Sequence, residues 1–176
     1  MSCALTQGYN VDCRDSVGGI KELYISELDN ITGTTGSASG NITAVTMTTG
    51  SQFRKYQLDA NMNPADWDEQ IQANSQNGSL FYEQSLNLKL RKMQATLRNE
   101  IRLLAQNRLA VIVLDRNGKY WLLGLNNGLE IQPSKSGSGS GMGDFNGYQL
   151  VFKGMEELPA CEVTGTLIDA LLQPAS

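Results

Sequence analysis

Residues 80–124, LFYEQSLNLKLRKMQATLRNEIRLLAQNRLAVIVLDRNGKYWLLG, carry three hydrophobic periods in succession with almost no spacer. Leu80, Tyr82, Leu86, Leu88 and Leu90 keep one parity while Glu83, Ser85, Asn87 and Lys89 take the other, which predicts a strand with one buried face. Met93, Leu97, Ile101 and Leu104 then recur at three- and four-residue steps among Arg91, Lys92, Arg98, Glu100 and Arg102, the stripe of an amphipathic helix. Leu109 to Leu114 is a continuous apolar run, Asn117-Gly118 suits the positive φ angles of a tight turn, and Lys119 to Leu123 returns, so a buried hairpin closes the unit. Strand, helix and hairpin together specify one mixed layer, and no catalytic motif lies within it.

Working outward, 176 residues suffice for one domain with a substantial core, spanning 1–176 without a dividing linker. Low aromatic content and 18 glycines, mostly in turns and loops, indicate an α+β chain that is mostly β. Residues 1–19 read as an irregular N-terminal arm, followed by a strand over Ile20 to Leu28 with Leu23 and Ile25 on one face and Tyr24 and Ser26 on the other. Thr32 to Gly40 reads as a flexible Gly/Ser/Thr loop, and Ile42 to Thr48 and Phe53 to Leu58 as a hairpin about Gly50. Asp59 to Gly78 reads as a long connection with a short helical turn at Pro64 to Glu69. Trp67 within it either contacts something outside the monomer or folds back on the core. Past a turn at 124–129, residues 134–143 read as a mobile Gly/Ser loop, Phe145 to Phe152 as a strand, and Val163 to Leu172 as either a short helix or a buried strand.

Composition restricts the chemistry. The absence of histidine removes Ser-His-Asp and Cys-His nucleophile systems and histidine zinc sites. Cys3, Cys13 and Cys161 form no CxxC pair and read as unpaired thiols. The alternating Gly137, Gly139, Gly141 and Gly143 match no phosphate-loop pattern, and Asp115-Arg116-Asn117-Gly118 ends in Lys119 where a calcium loop needs a carboxylate. The acidic clusters Asp66, Asp68, Glu69 and Glu156, Glu157 read as solvated loops. No catalysis, cofactor or metal is expected. Six of the fourteen basic residues (Lys89, Arg91, Lys92, Arg98, Arg102, Arg108) gather around the helix of a chain with net charge −4, which suits charge-complementary contact between copies or with another partner. The basic helix carries no aromatic residue, so sequence-specific nucleic-acid readout is not expected. No apolar run approaches the roughly 20 residues that span a bilayer, and Met1 to Leu5 lacks a signal-peptide pattern, so a cytoplasmic origin is expected.

This order of elements, with the phrasing of Leu86 to Trp121 and Gly143 to Phe152, resembles the tail-tube proteins of tailed bacteriophages and their relatives in contractile injection systems, over roughly Ile20 to Leu172. The resemblance implies an antiparallel β-sandwich or partly open barrel with one flanking amphipathic helix. It also implies hexameric rings, joined sheet edge to sheet edge, that stack into a virion tail tube assembled in the bacterial host cytoplasm. Such a tube contacts other tail or connector proteins and passes DNA without binding it specifically. In that frame residues 59–78 are the inter-subunit loop reaching the adjacent ring, and Asp66, Trp67, Asp68 and Glu69, with Arg91, Lys92, Arg98 and Arg102 of the basic region, are the inter-subunit candidates. Deleting most of 59–78 is then expected to leave a folded chain that makes no long assemblies. The alternatives are a head-tail connector component or capsid decoration protein, and a non-viral β-sandwich binding module.

Overall fold

The computed structural model describes residues 8–9, 14–36, 40–59, 65–165 and 171–173. Cys3, Cys13, Pro64, Leu167 and Ile168 lie outside the described residues, as does much of the N-terminal arm. The fold is α+β and mostly β, with two sheets and one α-helix among the described residues. Strands β1 (Ile20–Glu27), β2 (Ile31–Gly36), β3 (Asn41–Met47) and β4 (Phe53–Gln57) precede β5 (Ala65–Asn74) and β6 (Ser79–Arg91). Helix α1 (Ala95–Gln106) leads to β7 (Leu109–Asp115), β8 (Tyr120–Leu123), β9 (Glu130–Gly137), β10 (Gly147–Glu156), β11 (Cys161–Val163) and β12 (Leu172–Gln173). The larger sheet has the order β12-β4-β1-β7-β8-β11-β3-β2 and the smaller β5-β6-β10-β9.

Connectivity dictates a curled sheet. β1 and β2 lie five places apart in the larger sheet yet are joined through the single 3-10 turn Leu28–Asn30. A flat sheet would separate them by about 24 Å, whereas so short a link spans at most about 14 Å. The larger sheet therefore wraps toward itself without closing, and the Thr48 and Asn30 backbones are stitched where the β1–β2 and β3–β4 links meet (Thr48 N–H to Asn30 O, 2.8 Å). Inside the curl Tyr24, Ile42, Phe53, Ile112, Leu122 and Val163 form one core. On the opposite face Leu23, Ile25, Val111, Val113 and Leu123 meet Leu86, Leu88, Leu150 and Phe152 of the smaller sheet in a second. β1 and β7 thus bury both faces, the physical reason that Leu109 to Leu114 shows no alternation.

Three expectations are corrected. Thr32 to Gly36 is strand, not loop: it pairs with β3, and Thr32 Oγ1 and Thr43 Oγ1 donate across the pair to Thr46 O and Thr35 O. β3 and β4 make no hairpin with each other, since β3 pairs with β2 and β11 while β4 pairs with β1 and β12. The supposed long connection contains the ten-residue β5, paired with β6 from Ala65↔Leu88 to Asn74↔Ser79, so neither a loop over 65–74 nor a helical turn at Ala65 to Glu69 exists. Its Asp66-Trp67-Asp68-Glu69-Gln70-Ile71 sequence places polar residues on both faces, and backbone pairing with β6 outweighs the weak local pattern.

The helix forms as expected, with Leu97, Ile101 and Leu104 against the sandwich core. Met93 precedes α1, after Lys92 at φ 65°, and is exposed. Glycine is required where the 124–129 turn lies flat on β10: a Cβ on Gly154 would stand 2.5 Å from Gly128 O. The 134–143 segment divides, with β9 running to Gly137 and the remainder folding over Asp144, whose carboxylate accepts from Ser140 and Gly141 N–H. Those two backbone donors, with the Ser140 hydroxyl, hold the Asp144 carboxyl below its usual range.

Candidate assembly surfaces

The smaller sheet alternates cleanly between its faces. Ala65, Trp67, Leu86, Leu88, Leu90, Tyr148, Leu150 and Phe152 face the sandwich core. The outward face presents a polar ladder: Asn87 Nδ2 donates to Asp66 (2.8 Å), Ser85 Oγ donates to Asp68, and Lys153 Nζ pairs with Glu83 (2.8 Å). Lys89, Arg91, Lys135 and Glu130 share that face by register, so four carboxylates (Asp66, Asp68, Glu83, Glu130) stand against three lysines and one arginine and the face is close to neutral. Among the described residues β5 and β9 each pair on one side only, which leaves both edges of the sheet with free backbone groups. A bulge near Pro133 and Ser134 breaks the β9 register, and Ser134 Oγ accepts from Val151 N–H across it.

The β5–β6 hairpin overhangs the sandwich. Beyond Tyr82, the last β6 residue paired with β10, the inward parity continues with Leu80, and Ile71 (66% exposed) and Leu80 (56%) lie bare. At the opposite end of the same sheet, where Arg91 pairs with Gly147, Met93, Met142 and Phe145 are also exposed.

Between the core and the overhang lies a polar layer. Gln84, 1% exposed, donates from Nε2 to Glu69 (3.0 Å) and accepts from Gly124 N–H through Oε1 (2.9 Å), while Glu69 also accepts from Ala160 N–H (2.7 Å). Glu156, 3% exposed, ends β10 and takes the N–H groups of Asn126, Asn127 and Gly128 at 2.9–3.1 Å. Glu69 and Glu156 are therefore structural acceptors and not solvated loop carboxylates. Asp66 and Asp68 are exposed but on a strand, and only Glu157 fits the solvated-loop reading. Burial pushes the Cys161 thiol up, with Glu69 and Glu156 adding to it. Gln84 occupies the buried parity of β6 between Tyr82 and Leu86, a polar residue in an apolar register, and that was the sequence signal for this layer.

The eight inter-subunit candidates do not form one patch. Asp66 and Asp68 look outward from β5, whereas Trp67 and Glu69 look inward, and Trp67 is half-buried with its ring 6.0 Å from that of Trp121. Trp67 has thus folded back onto the core. Arg91 ends β6 and pairs with Asp59 (2.8 Å, both about half exposed), a contact of small energetic weight. Lys92 follows it, and Arg98 and Arg102 lie exposed on the helix, without an ion pair among the described residues. Among the described residues no group of three or more cysteine, aspartate or glutamate side chains is arranged to hold a metal ion, and no helix is long and apolar enough to cross a membrane. No protein-family model, curated protein or solved structure matches this chain.

Proposed function

We propose that the chain is a non-catalytic structural subunit of a phage virion, the building block of a tail tube. The observation that carries this reading is the four-stranded sheet with an apolar inner face, a near-neutral polar outer face and two open edges. β5 of one copy and β9 of the next can complete each other's hydrogen bonding, a heterologous contact that closes when the rotation suits a ring. Six copies, the number the resemblance implies, bring 24 strands, a circumference of at least about 115 Å and a clear bore of about 25 Å once side chains are subtracted. The bore would be lined by the polar ladder, and its lack of strong positive charge lets DNA pass without adhering. The bulge at Pro133 confines backbone pairing to the two halves of β9.

The apolar residues at opposite ends of the sheet favour a stack over a single ring. Head-to-tail contact between different surfaces propagates without closing, which makes a tube. Negative-stain electron microscopy of the concentrated protein, with its mass in solution, tests this. Hollow tubes or six-membered rings support the reading, and single rings that never stack shift it to a connector. A monomer that stays monomeric at every concentration and with every tail-tip extract overturns it.

A further inference from the structure

A cleft of about 230 Å³ lies between the C-terminal half of α1 and the β1 and β4 strands, outside the assembly surfaces. Its floor is apolar, made by Ile25, Leu104 and Leu109. Most polar groups on its wall are already committed: Ser51 Oγ donates to Asn30 Oδ1 (3.0 Å), Asn107 Nδ2 to Leu103 O (3.0 Å) and Ser26 Oγ to Glu27 O (3.3 Å). The Glu27 carboxylate accepts from Asn30 Nδ2 (3.5 Å). Arg54, Tyr56, Glu100 and the exposed Gln52 also line the cleft, and among the described residues none of their side chains makes a hydrogen bond or ion pair. Arg54 and Glu100 in particular do not pair with each other. Burial raises the Tyr56 phenol, Glu100 adds to the rise and Arg54 opposes it, so the phenol feels both charges.

A cation and an anion held apart over an apolar floor, with a hydroxyl within the field of both, match a ligand that carries both charges on one short frame. An amine alone would leave Arg54 facing a second cation, and a carboxylate alone would leave Glu100 facing a second anion, each costing a like-charge contact. We propose that this cleft binds a small zwitterion with an apolar side chain, an α-amino acid of leucine size. Its carboxylate meets Arg54, its ammonium meets Glu100, and its side chain covers Ile25, Leu104 and Leu109.

The test is a two-dimensional amide NMR titration of the full chain with leucine, with isopentylamine and with 4-methylpentanoate, which each keep one charge. Leucine should shift resonances at Ile25, Tyr56, Glu100 and Leu104, and each single-charge analogue should bind at least about tenfold more weakly. Arg54→Ala and Glu100→Gln should each weaken leucine binding about tenfold while keeping the wild-type spectrum elsewhere, both side chains being at the cleft wall and not in either core. No shift at about 10 mM leucine, or an amine or acid that binds as well as leucine, overturns the proposal. Binding is read on the single chain, so the result stands whether or not rings form.

Discussion

Replacing Glu156 with alanine removes one carboxylate and strands three backbone donors. Of the three, Gly128 N–H is buried, while Asn126 and Asn127 are exposed residues whose N–H groups water can reach once the loop relaxes. One fully orphaned donor costs about 1–3 kcal/mol, and losing charge-assisted bonds to two partly solvated ones adds about 1 kcal/mol more. The void left by a side chain that is 3% exposed contributes further, so Glu156→Ala should lose about 3–4 kcal/mol. Glu156→Gln keeps one carbonyl oxygen but turns an NH₂ toward a backbone donor, and should lose about half as much. Urea denaturation followed by far-ultraviolet circular dichroism measures both, and fluorescence of the Trp67–Trp121 pair gives an independent probe of the same transition. The neighbouring Glu157→Ala, at an exposed position, is the control and should fall within about 0.5 kcal/mol of wild type. If Glu156→Ala is as stable as Glu157→Ala, the carboxylate does not organise the 126–128 turn and the account of the polar layer fails.

Lys92→Gly should stabilise the chain by about 0.5–1 kcal/mol, because Lys92 holds φ 65° where a Cβ is unfavourable, and a shift of the urea midpoint to lower concentration would contradict this. Gly154→Ala should destabilise by at least about 2 kcal/mol, since its Cβ meets the Gly128 carbonyl at 2.5 Å; calorimetry showing an unchanged melting temperature refutes the close approach. Burial opposes ionisation of Glu22, but hydrogen bonds from Tyr24 and Lys55, with the Lys55 and Lys21 charges, bring its carboxyl below the ordinary value of 4.5. A depressed carboxyl stabilises the fold above its unfolded value and loses that contribution as pH falls through the lower folded one. Glu22→Gln should therefore flatten the stability profile below pH 4.5, and an acid limb as steep as wild type counts against it. Removing most of 59–78 should abolish folding instead of sparing it, because β5 is a core-covering strand; a cooperative unfolding transition in that variant would show that the smaller sheet survives without its edge.

The central unit was legible because each of its signals is local. β6, α1 and the β7–β8 hairpin each carry a hydrophobic period long enough to read, and the Asn117-Gly118 turn follows from residue type alone. β2 and β5 were read as loop, and β3 and β4 were read as strands but paired with each other, because the true partners are remote in sequence or hidden by composition. Thr32 to Gly36 contains glycine and threonine in a loop-like mixture and becomes strand only when β3 supplies hydrogen bonds. β5 has acidic and amide residues at alternating positions, and its strand character depends on the ladder with β6 and on Trp67 reaching the core. Of the surface residues, Asp66, Asp68 and Glu69 were read as one acidic cluster, and the pleat that turns Asp66 and Asp68 away from Trp67 and Glu69 was not read. The open edges and the α1 cleft left no sequence signature, since both are relations between elements.

The curled sheet has a consequence for the order in which the chain matures. β3 acquires its second neighbour only when β11 arrives, and β4 only when β12 does, more than a hundred residues after each was synthesised. Such pairings are slow, and until they form both strands present unsatisfied backbone on the growing chain. β6 and β9 likewise wait for β10, so the smaller sheet does not exist as a four-stranded surface until that strand has left the ribosome. The complete four-stranded surface on which the proposed ring would depend is therefore finished only late in synthesis, although the β5–β6 hairpin can form well before it.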